Sequence, residues 1–126
     1  MVTLNVLNDT EKTARLFKEN GIEQNQNSLC LVANDGKTDL GFSLFDITKE
    51  KMTVKYIEPL KDLSLADGIL RSTLHIAAQR FVMDVFYDET VPESFFEKLG
   101  FIKDKEKKTL NIDKLFMSCG SCKKEE

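Results

Sequence analysis

Long apolar runs are missing from this chain of 126 residues, where apolar side chains come only a few at a time. A membrane-crossing helix needs about 20 in succession, so no membrane association is expected. The first nine residues, Met1 to Asp9, lack both a basic region and an apolar core, and no secretory leader is expected from them. Positive charge is not in excess either. Eighteen basic side chains stand against 21 acidic ones, for a net charge of −3. Nucleic-acid binding normally shows as a basic patch or a high pI, so no nucleic-acid partner is expected. Cysteine is scarce and odd in number, at Cys30, Cys119 and Cys122. That count fits reduced thiols in the cytoplasm better than a disulfide framework. Histidine is limited to His75. A structural zinc site needs four ligands, and none is expected here.

What is present suits an ordinary folded domain. Apolar residues make up 41% and charged residues 31%, which excludes a disordered or collagen-like chain. A chain of this length fits one domain and buries something under ~70% of its unfolded surface. A single domain over 1–112 is expected, followed by a charged tail over 113–126.

The periodicity sets the element order. Val2, Leu4 and Val6 alternate with polar neighbours, as in a half-buried strand. Asn8 with Glu11 has capping-box spacing for a helix whose buried face carries Ala14 and Phe17, and Gly21 supplies its stop. Strands follow over 29–33, 40–47 and 52–57, the first two joined by Asp35-Gly36, read as a type I′ turn. Pro59 ends the last of these. A helix over 65–79 shows apolar or small residues at three- and four-residue spacing, and Val82 to Tyr87 reads as another strand. Thr90 is positioned to cap a further helix that Gly100 closes, and 101–112 reads as a final hairpin. The expected fold is α/β (α+β), a mixed central sheet in the order βαβββαβαβ with helices on both faces. The strand–helix–strand unit over 52–87 requires a right-handed crossover and parallel neighbours.

Two segments carried on this order resemble the GNAT acetyltransferase superfamily. Ser94-Phe95-Phe96-Glu97-Lys98-Leu99-Gly100-Phe101 is similar to the family's phenylalanine–tyrosine–glutamate–lysine–leucine–glycine–phenylalanine signature. Lys61-Asp62-Leu63-Ser64-Leu65-Ala66 occupies the place of its Gln/Arg-x-x-Gly-x-Gly/Ala loop, with Ser64 for the first glycine and Ala66 for the last position. The resemblance implies binding of acetyl-CoA as co-substrate and direct acetyl transfer to a primary amine, on a small molecule or a peptide. It implies coenzyme contacts from Ile57, Lys61, Asp62, Leu63, Ser64, Leu65, Ala66 and Asp67. A homodimer is open to such a domain.

The loop has its own physical logic. The first turn of a helix presents N–H groups without intrahelical partners at the positive end of the dipole, and small residues let a phosphate approach them. Asp62 and Asp67 place negative charge beside that site, and Ser64 has the alternative reading of a simple helix cap. By family analogy Glu58, at the end of the fourth strand, is the general base; the alternative is a solvated strand-end charge. The family's general acid is the tyrosine replaced here by Phe96, which has no proton to give. Tyr87 is the candidate substitute, with Cys30 a further one. Asp84, inside an apolar run, is either a solvated edge residue or functional. Asp88 and Glu89 read as loop charges, and Arg71 or Arg80 as weak candidates for the coenzyme 3′-phosphate.

Only one helix precedes the second strand, where the family often has two, so the acceptor side is expected to be open or small. Two alternatives follow: a non-catalytic coenzyme-binding or regulatory module, and a thiol or metal protein using Cys119 and Cys122, whose C-x-x-C spacing lets two thiolates reach one ion.

Overall fold

The structure, a computed structural model, describes residues 2–112. In chain order it contains β1 (Thr3–Val6), α1 (Thr10–Glu19), β2 (Ser28–Asn34), β3 (Asp39–Ile47), β4 (Lys51–Glu58), α2 (Leu63–Gln79), β5 (Asp84–Tyr87), α3 (Glu93–Leu99), β6 (Ile102–Asp104) and β7 (Thr109–Leu110). The strands form one sheet in the order β1-β2-β3-β4-β5-β7-β6. Among the described residues only the β4–β5 pairing is parallel, and α2 makes its crossover. The expected mixed α+β architecture is therefore the observed one, with the closing hairpin resolved into β6 and β7. The pair Cys119 and Cys122 lies outside the described residues.

Period-two alternation sorts the sheet into two apolar faces. On one face Leu31, Phe45, Met52, Val54 and Val85 meet Ile69, Leu70 and Leu74 of α2 and Phe95 and Phe96 of α3. On the other, Cys30, Val32 and Leu44 pack against Phe17 and Ile22 from α1 and the turn after it. Helices thus cover both faces, and among the described residues α1 alone covers the second. One buried polar contact joins α2 to the sheet. Ser43 Oγ and Thr73 Oγ1 lie 2.6 Å apart, and Thr73 Oγ1 also donates to the Ile69 carbonyl at 2.8 Å.

The helix ends differ from the expected ones in instructive ways. Asp9, not Asn8, caps α1, accepting from the Lys12 amide at 3.0 Å. Its buried face is Thr13 and Phe17, while Ala14 is exposed. Asp62 caps α2, which therefore starts at Leu63, two residues earlier than the periodicity suggested. Pro92 occupies the cap position of α3 with no side-chain bond, and Thr90 is engaged elsewhere. The β2–β3 connection spans Asp35 to Thr38. Only Gly36 in it has positive φ, at 100°, and the Asp35 carboxylate accepts from the Lys37 and Thr38 amides at 2.9 and 2.8 Å. That is a side-chain-organised loop, not a type I′ turn, which needs positive φ at both central residues. β5 begins at Asp84 instead of Val82, because Val82 still belongs to the turn that closes α2.

Candidate functional site

The site begins with a defect in pairing. Leu44 pairs with Tyr56 and Phe45 with Val54, so Lys55 is one residue too many on β4. Such a bulge bends its strand and disturbs the ladder locally. On the other side, β4 pairs with β5 only from Lys51 to Val54. Beyond Val54 the two parallel strands part, with the Asp88 amide closing the junction on the Val54 carbonyl at 3.0 Å.

Lys55 is held at both ends. Its ammonium lies 2.6 Å from Asp46 Oδ2 and donates to the Glu23 carbonyl at 3.2 Å. Asp46 in turn accepts from Ser28 Oγ at 2.5 Å and Asn25 Nδ2 at 3.0 Å, so the half-buried pair is satisfied by a network. The Lys55 carbonyl accepts from the Thr90 hydroxyl, which ties the loop after β5 across the gap between the strands.

Past the bulge, Tyr56 and Glu58 share the α1 face of β4, two residues apart. The Tyr56 hydroxyl donates to Glu58 Oε1 at 3.0 Å, and the ring stacks on Phe42 with centroids 5.9 Å apart. Burial, then the hydrogen bond to Glu58 and its charge, raise the Tyr56 pKa, so the phenol keeps its proton through neutral pH. Glu58 itself is exposed. The chain turns immediately after it through a cis Glu58–Pro59 bond. Gly41 makes room for this turn, because a Cβ there would lie 2.4 Å from the Glu58 carbonyl oxygen. Tyr56 was not singled out from the sequence. The signal was available in its spacing, an aromatic hydroxyl two residues before the candidate base on a strand.

The start of α2 adjoins this gap. Ile57 is buried beneath it in the core, Lys61 and Ser64 are exposed, and Leu63 is exposed at the helix entrance. Leu65 is half-buried and Ala66 fully buried. Asp62 Oδ1 accepts from the Leu65 amide at 3.1 Å, and the Asp62 carbonyl accepts from the Ala66 amide at 2.9 Å. The cap is thus a carboxylate where a phosphate is expected, and Ser64 is not the cap. Asp67 is paired with Arg71, whose Nε lies 3.0 Å from Asp67 Oδ1. Between the α2 entrance and α3 lies a cavity of about 140 Å³ lined by Leu60, Leu63, Pro92, Phe95 and Lys98.

The structure separates Tyr87 from these groups. It is 4% exposed, its ring lies tilted at 38° against Phe96 with centroids 4.7 Å apart, and its hydroxyl donates to Glu93 Oε1 at 2.9 Å. Burial, followed by the bond to Glu93, pushes its pKa up to about 12. The side chain of this candidate acid packs on the α3 side of the core, where Phe96 is also fully buried. Cys30 lies under α1, and burial pushes its thiol up to about 12. Asp84 is exposed at the start of β5, and Glu89 pairs with Lys108 at 2.5 Å. His75 is exposed on α2. Among the described residues no group of three or more His, Cys, Asp or Glu comes together to hold a metal ion. No helix among them is long and apolar enough to cross a membrane.

Known structures share this fold. A ribosomal-protein-alanine N-acetyltransferase from Brucella melitensis biovar Abortus 2308 superposes with a TM-score of 0.61 at 17% identity, over 82% of this chain and 94% of that one. The fold is that of the GNAT acetyltransferases. A GNAT family acetyltransferase from Elizabethkingia anophelis, solved with acetyl-CoA bound, gives 0.58 at 14% identity over 82% and 78% of the two chains. The aminoglycoside 6′-N-acetyltransferase from Enterococcus faecium gives 0.55 at 11% identity over 78% and 83%. No protein-family model and no curated protein sequence matches the chain. At these identities the GNAT fold is shared while most side chains are not.

Proposed function

We propose that this protein binds acetyl-CoA in the gap between β4 and β5 and transfers the acetyl group to a primary amine. The observation that carries the reading is the bulge at Lys55, which parts two parallel strands beside a helix N-terminus within a GNAT fold. Parted strands offer backbone groups to an extended ligand, and the helix start offers amides to its phosphates.

In the proposed chemistry the amine nitrogen attacks the acetyl carbon, the C–S bond breaks, and the coenzyme leaves as a thiolate. Glu58, exposed at the strand end, takes the proton from the amine directly or through water. Tyr56 replaces the missing tyrosine at position 96 as proton donor to the thiolate. It is preferred to Tyr87 because Tyr56 is only half-buried and bonds Glu58 itself, while Tyr87 is buried in the core and bonds Glu93. Ile57, Lys61, Leu63, Ser64, Leu65, Ala66 and Asp67 remain the proposed coenzyme contacts, with Asp62 the group a pyrophosphate must displace. The 140 Å³ cavity between α2 and α3 has room for part of the pantetheine arm, so the Thr90 contact opens when the whole coenzyme enters.

A second reading, a coenzyme-binding module without transfer, rests on Phe96, which removes the family's acid and buries the position in the core. One experiment separates the two. Thermal melting with acetyl-CoA reads binding by mass action, and release of free thiol with a panel of primary amines reads transfer. A raised midpoint with thiol release supports the enzyme, and a raised midpoint alone supports the module. An unchanged midpoint at millimolar acetyl-CoA contradicts both.

A further inference from the structure

The end of the molecule opposite Glu58 carries a feature that acetyl transfer does not use. Helix α2 closes with a Schellman pattern, Val82 N–H donating to the Ala77 carbonyl at 2.8 Å and Phe81 N–H to the Ala78 carbonyl at 3.1 Å. The pattern holds Phe81 at φ 61°, in the left-handed region. Glycine is the usual occupant of that position, and a bulky residue is an outlier there because its Cβ crowds the following carbonyl. Packing among the described residues does not offset the cost, since Phe81 is 88% exposed. Val82, next in sequence, is buried, and Met83 beyond it is again 51% exposed. Among the described residues the ring therefore has no packing to set against the strained backbone.

Beside Phe81 lies a groove of about 710 Å³. Ile47 and Val82 supply its apolar floor, and Thr48, Lys49 and Arg80 its rim. Two cations and no carboxylate stand among its lining residues, on a chain whose net charge is −3. We propose that this surface docks an acidic peptide segment of a partner protein, with Phe81 as the aromatic anchor and Lys49 and Arg80 reading the partner's carboxylates. Aromatic anchors beside a small pocket are where interfaces concentrate their binding energy, and complementary charge gives orientation. A second copy of the chain fits less well, because a two-fold axis through Phe81 brings Lys49 and Arg80 of both copies together. A lipid surface would touch the protruding ring and leave the groove floor wet.

The test uses a synthetic peptide of alternating glutamate and leucine, with affinity read by calorimetry on the full chain. The chain has no tryptophan, so Phe81→Trp gives a single fluorescent reporter at the anchor. Saturable binding is expected, with a blue shift of that reporter. Affinity should fall at least tenfold in Phe81→Gly and in Arg80→Glu, and weaken with salt. Phe81→Gly should also melt a few degrees higher than the parent, since glycine relieves the cap, a result no structural role for the ring allows. The proposal is overturned if the peptide does not bind, if Phe81→Gly binds as tightly or melts lower, or if phosphatidylserine vesicles bind and the peptide does not. Self-association that Phe81→Gly abolishes would also overturn it, in favour of a dimer. None of these outcomes depends on acetyl-CoA binding.

Discussion

The Tyr56 hydroxyl donates to Glu58 Oε1 at 3.0 Å, which puts a proton donor and a carboxylate side by side just past the bulge in β4. If the pair moves protons during acetyl transfer, each member should matter to turnover more than to binding. Glu58→Gln and Tyr56→Phe are expected to lower kcat by about 10²-fold or more, the usual scale for positioned acids and bases. The affinity for acetyl-CoA should change little. Calorimetry and thiol-release kinetics on the two variants check this, and an unchanged kcat in both would remove the pair from the mechanism.

Asp62 competes with any phosphate for the start of α2, because its carboxylate already holds the Leu65 amide. Asp62→Ser keeps a capping oxygen and removes the charge. Acetyl-CoA should then bind several-fold more tightly, with the melting temperature of the free protein changed by only a few degrees. Weaker binding in this variant would place the pyrophosphate elsewhere.

Alkaline stability should report the buried Cys30. Its pKa rises from 9.0 to about 12 on folding, chiefly through burial. The unfolded thiol ionises first, so the unfolded state binds fewer protons above pH 9. The contribution is fully present below pH 9 and is lost as the pH rises toward 12, at a limiting slope of about 1.4 kcal/mol per unit. Tyr87, raised from 10.0 to about 12, acts in the same direction at the upper end of that window. Urea midpoints measured from pH 8 to 10.5 should fall less steeply for Cys30→Ala than for the parent. Parallel slopes would contradict the assignment.

The contact between Ser43 and Thr73 predicts non-additive energetics. Thr73→Val strands the buried Ser43 hydroxyl and should cost about 1–3 kcal/mol. Adding Ser43→Ala removes the stranded group, so the double variant should be no less stable than Thr73→Val alone. Chemical denaturation of the four proteins gives the cycle.

The element order was legible because it rests on periodicity and punctuation: alternation at Leu4 and Val6, the stop at Gly100, and the break at Pro59. Capping was read less well. Asn8, Asp9 and Thr10 all suit a cap, and so do Asp62 and Ser64. Which one serves depends on where the backbone turns, and that is fixed by packing. The loop over 61–67 and Glu58 as a candidate base were suggested by resemblance. Tyr56 was not, since its value lies in the bulge that aligns it with Glu58, and a bulge is a relation between β3 and β4 that neither strand shows alone. The burial of Tyr87 was hidden for a related reason. Its place at a strand end is local, while the side it faces follows from the register Val54–Tyr87 and from Phe96 beneath it. Phe81 carried no signal in the sequence, because only the backbone shows it at positive φ.

The most direct test of the coenzyme site is an amide-resolved NMR titration of the full chain with acetyl-CoA. The largest shifts are predicted at Leu63 to Asp67, at Tyr56 and at the loop around Thr90, saturating together with one affinity. Saturable shifts confined to other elements, or no shifts at millimolar acetyl-CoA, would contradict the account.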